Sequence, residues 1–115
     1  MVNAFAPYKR VDIAVEAFNR LGLELRIVGN GQDEQLLRGM ARPNVRFLGW
    51  VSAASRRALP ACDIFVQSSH WEAMSVVVLE AMAGAKPMVI TSVGENSRVV
   101  INEQSGLVVP PRSPQ

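Results

Sequence analysis

The residues that could do chemistry cluster in two places. Glu72 and Glu80 stand eight positions apart in the run Glu72-Ala73-Met74-Ser75-Val76-Val77-Val78-Leu79-Glu80. If both lay on one helix, its rise of ~1.5 Å per residue would hold them ~12 Å apart. That is too far for a shared metal ion or a paired acid and base, but it suits two carboxylates that grip different parts of an extended ligand. A carboxylate accepts two hydrogen bonds from a vicinal diol, and a nucleotide-diphosphate sugar carries diols at both ends, on its ribose and on its hexose. Its diphosphate would then lie near a helix N-terminus, where free amides and the helix dipole favour anions. Lys9 and Arg10 form the second place. A lysine there can put a point charge on a diphosphate, and an arginine can hold it through two hydrogen bonds. Taken alone, each pair reads more simply as solvated charges, the usual state of glutamate, lysine and arginine.

Other candidates have plainer readings. His70 and Trp71 adjoin Glu72, and a lone histidine there reads as a loop hydrogen-bonder rather than a catalyst. Trp50, after Gly49, could stack on a base, although a half-buried aromatic at the rim explains it as well. Gly29-Asn30-Gly31 lacks the third glycine and the distal acidic residue of a dinucleotide fingerprint, so it reads as a tight turn. Asp33-Glu34 is a helix-start pair that needs no function. The single cysteine, Cys62, has no internal disulfide partner and precedes Ile64-Phe65-Val66, as a small core residue would. No acidic cluster has metal-ligand spacing.

These groups need a scaffold, and the apolar pattern supplies one. Strand-like runs fall at 2–6, 25–28, 44–48, 64–66, 88–90 and 107–109. Between them, Ile13, Ala14, Ala17, Phe18 and Leu21 make a helical stripe ended by Gly22. Asp33 starts a second helix with Leu36, Leu37 and Met40 on its apolar face, and 52–60 reads as a weak helix. The valine triplet 76–78 fits strand or helix. The crossover that the flanking strands need and the helix-forming Glu80-Ala81-Met82-Ala83 decide for a helix over 76–83, with Ser75 as N-cap and Gly84 closing it. A short helix is expected at 96–101. Six strands with intervening helices imply an α/β fold, a doubly wound parallel Rossmann-like sheet over 1–109, with a Pro-rich tail at 110–115. Ligands on such sheets bind beyond the carboxyl ends of the strands. The loops at 7–10, 29–32, 49–52, 68–75 and 91–96 therefore share one rim.

Bulk properties exclude other classes. With 115 residues the chain is sized for one domain, and 49% hydrophobic with 19% charged residues argues against disorder. No apolar run approaches the ~20 residues that span a bilayer, and no secretion signal opens the sequence, so a cytoplasmic protein is expected. A net charge of +2 with scattered arginines suits a phosphate-bearing small ligand better than nucleic acid.

The pieces occur together in one family. Pro7-Tyr8-Lys9-Arg10-Val11-Asp12, Leu25-Arg26-Ile27-Val28-Gly29-Asn30-Gly31, Asn44-Val45-Arg46-Phe47-Leu48-Gly49, the Glu72–Glu80 segment, Ala81-Met82-Ala83-Gly84-Ala85-Lys86-Pro87 and Ser105-Gly106-Leu107-Val108-Val109-Pro110-Pro111 follow in order. Over nearly its whole length the chain resembles the C-terminal, donor-binding domain of family-four retaining glycosyltransferases of the GT-B fold. The resemblance implies a nucleotide-sugar site in which Glu72 binds hexose hydroxyls near the reacting carbon and Glu80 binds the ribose. Lys9 would bind the diphosphate and offset charge on the leaving group, making Glu72 and Lys9 the catalytic pair. Amides around Met74, Ser75 and Val76 would add to that grip, Gly49, Trp50 and Val51 would border the base, and no metal or other cofactor would be needed, the nucleotide sugar being a substrate. The resemblance also implies a partner, an N-terminal acceptor-binding domain outside this chain, and self-association through the interdomain face left exposed. The parent enzyme would transfer a hexose in surface polysaccharide synthesis, working at the inner membrane face.

Three features depart from the pattern. The acceptor domain lies outside this chain, and the loop after Glu72 is Ala73-Met74-Ser75 where glycine-rich versions are common. The diphosphate grip is also changed. Many relatives carry an arginine five residues before the lysine, where this chain has Ala4, and Arg10 stands where relatives often have glycine. Arg10 would then supply part of the missing grip. A rival reading keeps the fold as a non-catalytic nucleotide-binding or partner-docking module. A dinucleotide-dependent oxidoreductase is disfavoured by the missing glycine fingerprint.

Overall fold

Each short apolar run is followed by a segment that carries the chain back to the start of the next, so the runs pair as parallel strands. The computed structural model describes residues 1, 5, 7–49, 62–72, 76–100, 104 and 106–111. Among these, β1 (Leu25–Val28) pairs with β2 (Val45–Gly49). A three-stranded sheet has the order β3 (Phe65–Gln67), β4 (Met88–Thr91), β5 (Leu107–Val109). Every pairing is parallel. In register, Ile27 faces Phe47 before a one-residue shift brings Val28 opposite Gly49, and Ile90 faces Val108. Five of the six expected strands are therefore present, in two sheets. The sixth position, 2–6, lies outside the described residues but for Phe5, as does the helix expected at 52–60.

The helices are α1 (Val11–Leu21), α2 (Glu34–Met40), α3 (Val76–Ala83) and α4 (Asn96–Val99), with a 3₁₀ turn at Pro7–Lys9. Val11, Ala14 and Val15 of α1 bury their side chains against Phe5, Ile27 and Val45. Removing each valine side chain from water contributes about 1.5–3 kcal/mol, and the methyl of Ala14 less. Gly22 ends α1 in the left-handed region, its N–H donating to the Phe18 carbonyl at 2.9 Å. Glu16 and Arg20 pair one turn apart at 2.8 Å, as their spacing predicts. The second core gathers Phe65, Met88 and Ile90 under Val78 and Ala81 of α3, with Val100. Cys62 packs at its edge, half-buried, as expected of a small core residue.

Two apolar faces are narrower than their periodicity suggests. On α2 only Leu37 is buried, while Leu36 and Met40 are exposed, and Leu21 at the end of α1 is exposed as well. Polar ties hold that region instead. The Asn19 amide donates to the Met40 carbonyl at 2.9 Å, and the Arg42 N–H donates back to its oxygen at 3.0 Å. The valine triplet is helical, and the helix closes differently from expectation. Ala85, one residue beyond Gly84, takes the left-handed φ of 54°. Gly31 has a stronger reason to be glycine than a tight turn: a Cβ there would lie 2.6 Å from the Phe5 nitrogen.

Candidate functional site

The carboxyl ends of the strands bring the Lys9 loop and the loop after β3 against each other. Main-chain bonds fix that approach. The His70 N–H donates to the Tyr8 carbonyl at 2.7 Å. The Ser68 hydroxyl reaches the carbonyls of Lys9 and Arg10 at 3.2 and 2.8 Å. Two segments far apart in sequence are thereby stitched before any side-chain charge is considered.

The side chains complete the join. The Lys9 ammonium donates to Oε1 of Glu72 and forms an ion pair with it. The Ser69 hydroxyl donates to the same oxygen at 2.8 Å. Glu72 is 8% exposed and Ser69 is fully enclosed, so the carboxylate is held where water screens it little. Behind Ser69 the polar chain continues inward. The Thr91 hydroxyl donates to the Ser69 carbonyl at 2.6 Å. The Asn96 amide donates to Gln67 Oε1 at 3.0 Å and to the Thr91 carbonyl at 3.1 Å. Oε2 of Glu72 has no hydrogen-bond partner among the described residues.

Arg10 does something different from what its position beside Lys9 predicts. Its backbone occupies the left-handed region at φ 48°, a conformation that costs a side-chain-bearing residue about 1–2 kcal/mol. Glycine at the equivalent place in relatives would avoid that cost. The guanidinium turns to Asp12 and donates twice, at 2.9 Å each. Those hydrogen bonds raise the Arg10 pKa and hold the Asp12 carboxyl below the usual carboxylate range. The guanidinium keeps three of its five N–H donors, but its charge is already paired before any anion arrives.

Aromatic rings flank the ion pair. Tyr8 and Trp71 meet edge to face with centroids 5.9 Å apart, and the Lys9 ammonium lies 5.2 Å from the Tyr8 ring centre. Both rings are exposed. Glu80 is the fifth residue of α3, half-buried, and its carboxylate meets no partner among the described residues. Gly49 ends β2 at a φ of 76° with its carbonyl accepting from the Gly29 N–H, and Val76 opens α3. Trp50, Val51, Met74 and Ser75 lie outside the described residues, as does Ala4. Sequence reasoning thus singled out Lys9 and Glu72, which meet. It missed Ser69 and Thr91, whose only signal was a serine pair just before Glu72 and a threonine at a strand end.

Clefts open in the surface of the described residues. One of about 220 Å³ lies at the rim, with Pro7, Arg10, Asp12 and Asp33 in its lining. A larger one, of about 580 Å³, sits at the amino ends of β3 to β5 between Ile64, Met82, Pro87 and Leu107. Its largely apolar lining suits a diphosphate poorly, and it is at the opposite end of the strands from Glu72. Among the described residues, no group of three or more metal-ligating side chains occurs and no helix is long and apolar enough to cross a membrane.

Comparison with known proteins gives a consistent picture. The family model described as Glycosyl transferases group 1 matches residues 1–115. The chain is 34% identical over 115 residues to a glycogen synthase of Mycobacterium tuberculosis, covering 90% of this chain and 28% of that protein. It is 32% identical over 111 residues to the lipopolysaccharide core biosynthesis glycosyltransferase LpsE of Rhizobium meliloti, covering 91% of this chain and 32% of that protein. Among solved structures, Anabaena Alr3699/HepE in complex with UDP-glucose superposes with a TM-score of 0.87 at 25% identity, over 99% of this chain and 35% of that one. The chain spans between 26% and 34% of the length of the first curated relatives it matches.

Proposed function

The chain belongs to the glycosyl transferases group 1 family and has the α/β fold of GT-B glycosyltransferases, and from that premise we propose that it is the nucleotide-sugar-binding domain of a retaining glycosyltransferase. The observation that carries the proposal is the enclosed Lys9–Glu72 pair at the carboxyl ends of the strands, where ligands of such sheets bind. HepE, to which the chain is similar, was crystallised with UDP-glucose.

In this reading the diphosphate of the donor displaces Glu72 as the partner of Lys9. The ammonium then offsets negative charge as it grows on the departing nucleotide, a form of electrostatic stabilisation that works best away from water. The amino end of α3 adds its dipole from the other side. Glu72, freed of part of its ion pair, accepts hydrogen bonds from hexose hydroxyls near the reacting carbon, while Glu80 holds the ribose diol. Gly49, Trp50 and Val51 border the base, and Arg10, its charge already paired with Asp12, adds less to the diphosphate grip than an unpaired guanidinium would. The donor site needs no cofactor in this scheme, the nucleotide sugar being a substrate.

The acceptor belongs to the rest of the enzyme. Proximity of donor and acceptor supplies much of the rate in group transfer, so we expect this chain alone to bind the donor and to transfer sugar weakly or not at all. Similarity to LpsE, named for lipopolysaccharide core biosynthesis, supports an acceptor in surface polysaccharide synthesis, and we further propose that the parent enzyme works at the inner membrane face. A non-catalytic nucleotide-binding or docking module is the second reading, favoured by Ala4 in place of an arginine. Adding a separately made acceptor domain and assaying sugar transfer separates the two.

The donor site is tested by calorimetric titration with UDP, GDP and ADP and their sugar conjugates, on the wild type, Lys9→Ala and Glu80→Ala. The proposal expects one nucleotide to bind selectively and both substitutions to weaken it. A folded domain that binds none of them refutes the donor site and leaves the fold standing.

A further inference from the structure

Glu72 is held by more than its cation, and the arrangement decides which of its oxygens faces a ligand. Lys9 and Ser69 both donate to Oε1, and an oxygen with two lone pairs is then fully engaged. Oε2 is the oxygen left to accept. The Ser69 hydroxyl can hold this position because its own main chain is pinned: the Thr91 hydroxyl at the end of β4 donates to the Ser69 carbonyl at 2.6 Å. Asn96, the first residue of α4, in turn donates to the Thr91 carbonyl. Ser69 is fully enclosed, Asn96 is 1% exposed and Thr91 4%, so none of these polar groups is placed to touch a ligand directly. A buried, hydrogen-bonded series of this kind fixes one rotamer where a solvent-exposed glutamate would sample several.

We infer that Ser69, backed by Thr91, is a positioning residue that turns Oε2 of Glu72 toward the hexose hydroxyls of the donor. The inference rests on the donor-site reading and names a further part of it. Its consequence differs from that of Lys9. If the diphosphate takes over the lysine, the Ser69 hydroxyl becomes the remaining described side-chain tether on Glu72. Losing it releases the carboxylate at the moment when sugar recognition depends on it. The nucleotide half of the donor makes no contact with Glu72 and meets Ser69 only through the Lys9–Glu72 pair, which nucleotide and sugar conjugate alike must open, so that cost cancels in the ratio of their affinities.

The test compares Ser69→Ala with the wild type and with Ser69→Thr, which keeps the hydroxyl. The probes are UDP with UDP-glucose and GDP with GDP-mannose, titrated calorimetrically against the full chain. The quantity read is the ratio of affinities for the sugar conjugate and its own nucleotide. We expect Ser69→Ala to lower that ratio about tenfold, the worth of one hydrogen bond to a charged group, beyond any change that nucleotide and conjugate share, and Ser69→Thr to restore the ratio. A merely structural serine lowers both affinities together, which overturns the inference, as does an unchanged ratio. If Ser69→Ala fails to fold, Thr91→Val provides the reading. It removes the hydroxyl behind Ser69 and is expected to lower the same ratio; no change overturns the inference. If the wild type binds neither pair, ADP with ADP-glucose is titrated in the same way, and a wild type that binds none of the three pairs brings down the donor-site reading and this inference with it. If the wild type binds and only the ratio fails to move, the donor site survives and the role of Ser69 does not.

Discussion

Breaking the Lys9–Glu72 pair one partner at a time measures how far the rim depends on it. The side chains are 16% and 9% exposed, so the pair lies well inside the range where removal of one partner leaves a poorly solvated charge. In Lys9→Met the Glu72 carboxylate keeps only the Ser69 hydroxyl. Orphaning a buried charge costs about 3–5 kcal/mol, and a site at the rim, where relaxation admits some water, belongs near or below the bottom of that range, at about 2–3 kcal/mol. Glu72→Gln is milder, because the amide oxygen still accepts from Ser69 and Lys9 keeps its contact with the Tyr8 ring. Its expected cost is about 1–2 kcal/mol. The double variant has no orphaned charge, so it should lose about 1–3 kcal/mol less than the single losses combined. Urea unfolding of all four proteins gives the coupling directly. In thermal melts Lys9→Met should fall by roughly 8–12 °C, at about 4 °C per kcal/mol for a domain of this size. Losses that add to within about 0.5 kcal/mol would mean that the two side chains are not energetically joined, and the account of the rim would fail.

Other expectations follow from single positions. Gly31→Ala drives a methyl to 2.6 Å from the Phe5 nitrogen and should cost about 2–3 kcal/mol, whereas Gly39→Ala inside α2 meets nothing within 4 Å and should stabilise by about 0.5–1 kcal/mol; denaturation midpoints moving in the same direction would refute the packing described. Ala85→Gly relieves the left-handed alanine at the end of α3, and a gain of about 0.5–1 kcal/mol is expected in the same assay. The Arg10 guanidinium holds the Asp12 carboxyl below its usual range, so the pair's contribution is complete above the ordinary aspartate value of about 3.9 and is lost as pH falls through the lower folded value. At this partly exposed site it amounts to a few tenths of a kcal/mol, and the stability gap between wild type and Asp12→Asn should close between about pH 5 and pH 2.

What the sequence could disclose depends on how local each cause is. The strands at 25–28, 45–49, 65–67, 88–91 and 107–109 were legible because buried parallel strands must be apolar along their whole length. The valine triplet was ambiguous by propensity, and the need for a crossover between β3 and β4 settled it, which is a topological reason. Burial on α2 was overestimated because periodicity marks a face and says nothing of how much sheet lies beneath it. Leu37 finds a core and Leu36 does not. At the site, Lys9 and Glu72 could be named from their types and positions on one rim, but not joined. The turn of Arg10 toward Asp12 was hidden because it depends on a backbone angle that no residue type announces. The role of Ser69 was hidden because serine is common in loops and becomes informative only when its neighbours are placed.

The bonds across the rim suggest why the site takes this form. Lys9 precedes α1 and the sheet of β1 and β2, while Glu72 follows β3 in the other sheet. The ion pair, the Ser68 hydroxyl and the His70 N–H all cross that boundary. A donor whose diphosphate meets Lys9 and whose sugar meets Glu72 spans the same boundary, exchanging one internal pairing for contacts on both sides of it. Binding then stabilises the junction in proportion to affinity, by about 2.7 kcal/mol when ligand stands at a hundred times its Kd. Amide hydrogen exchange at Tyr8, Lys9 and the Ser68–Glu72 loop should therefore slow when the cognate nucleotide sugar is added, while nucleotide alone protects the Lys9 side more than the Glu72 side. Equal protection by both ligands would place the sugar elsewhere than on Glu72.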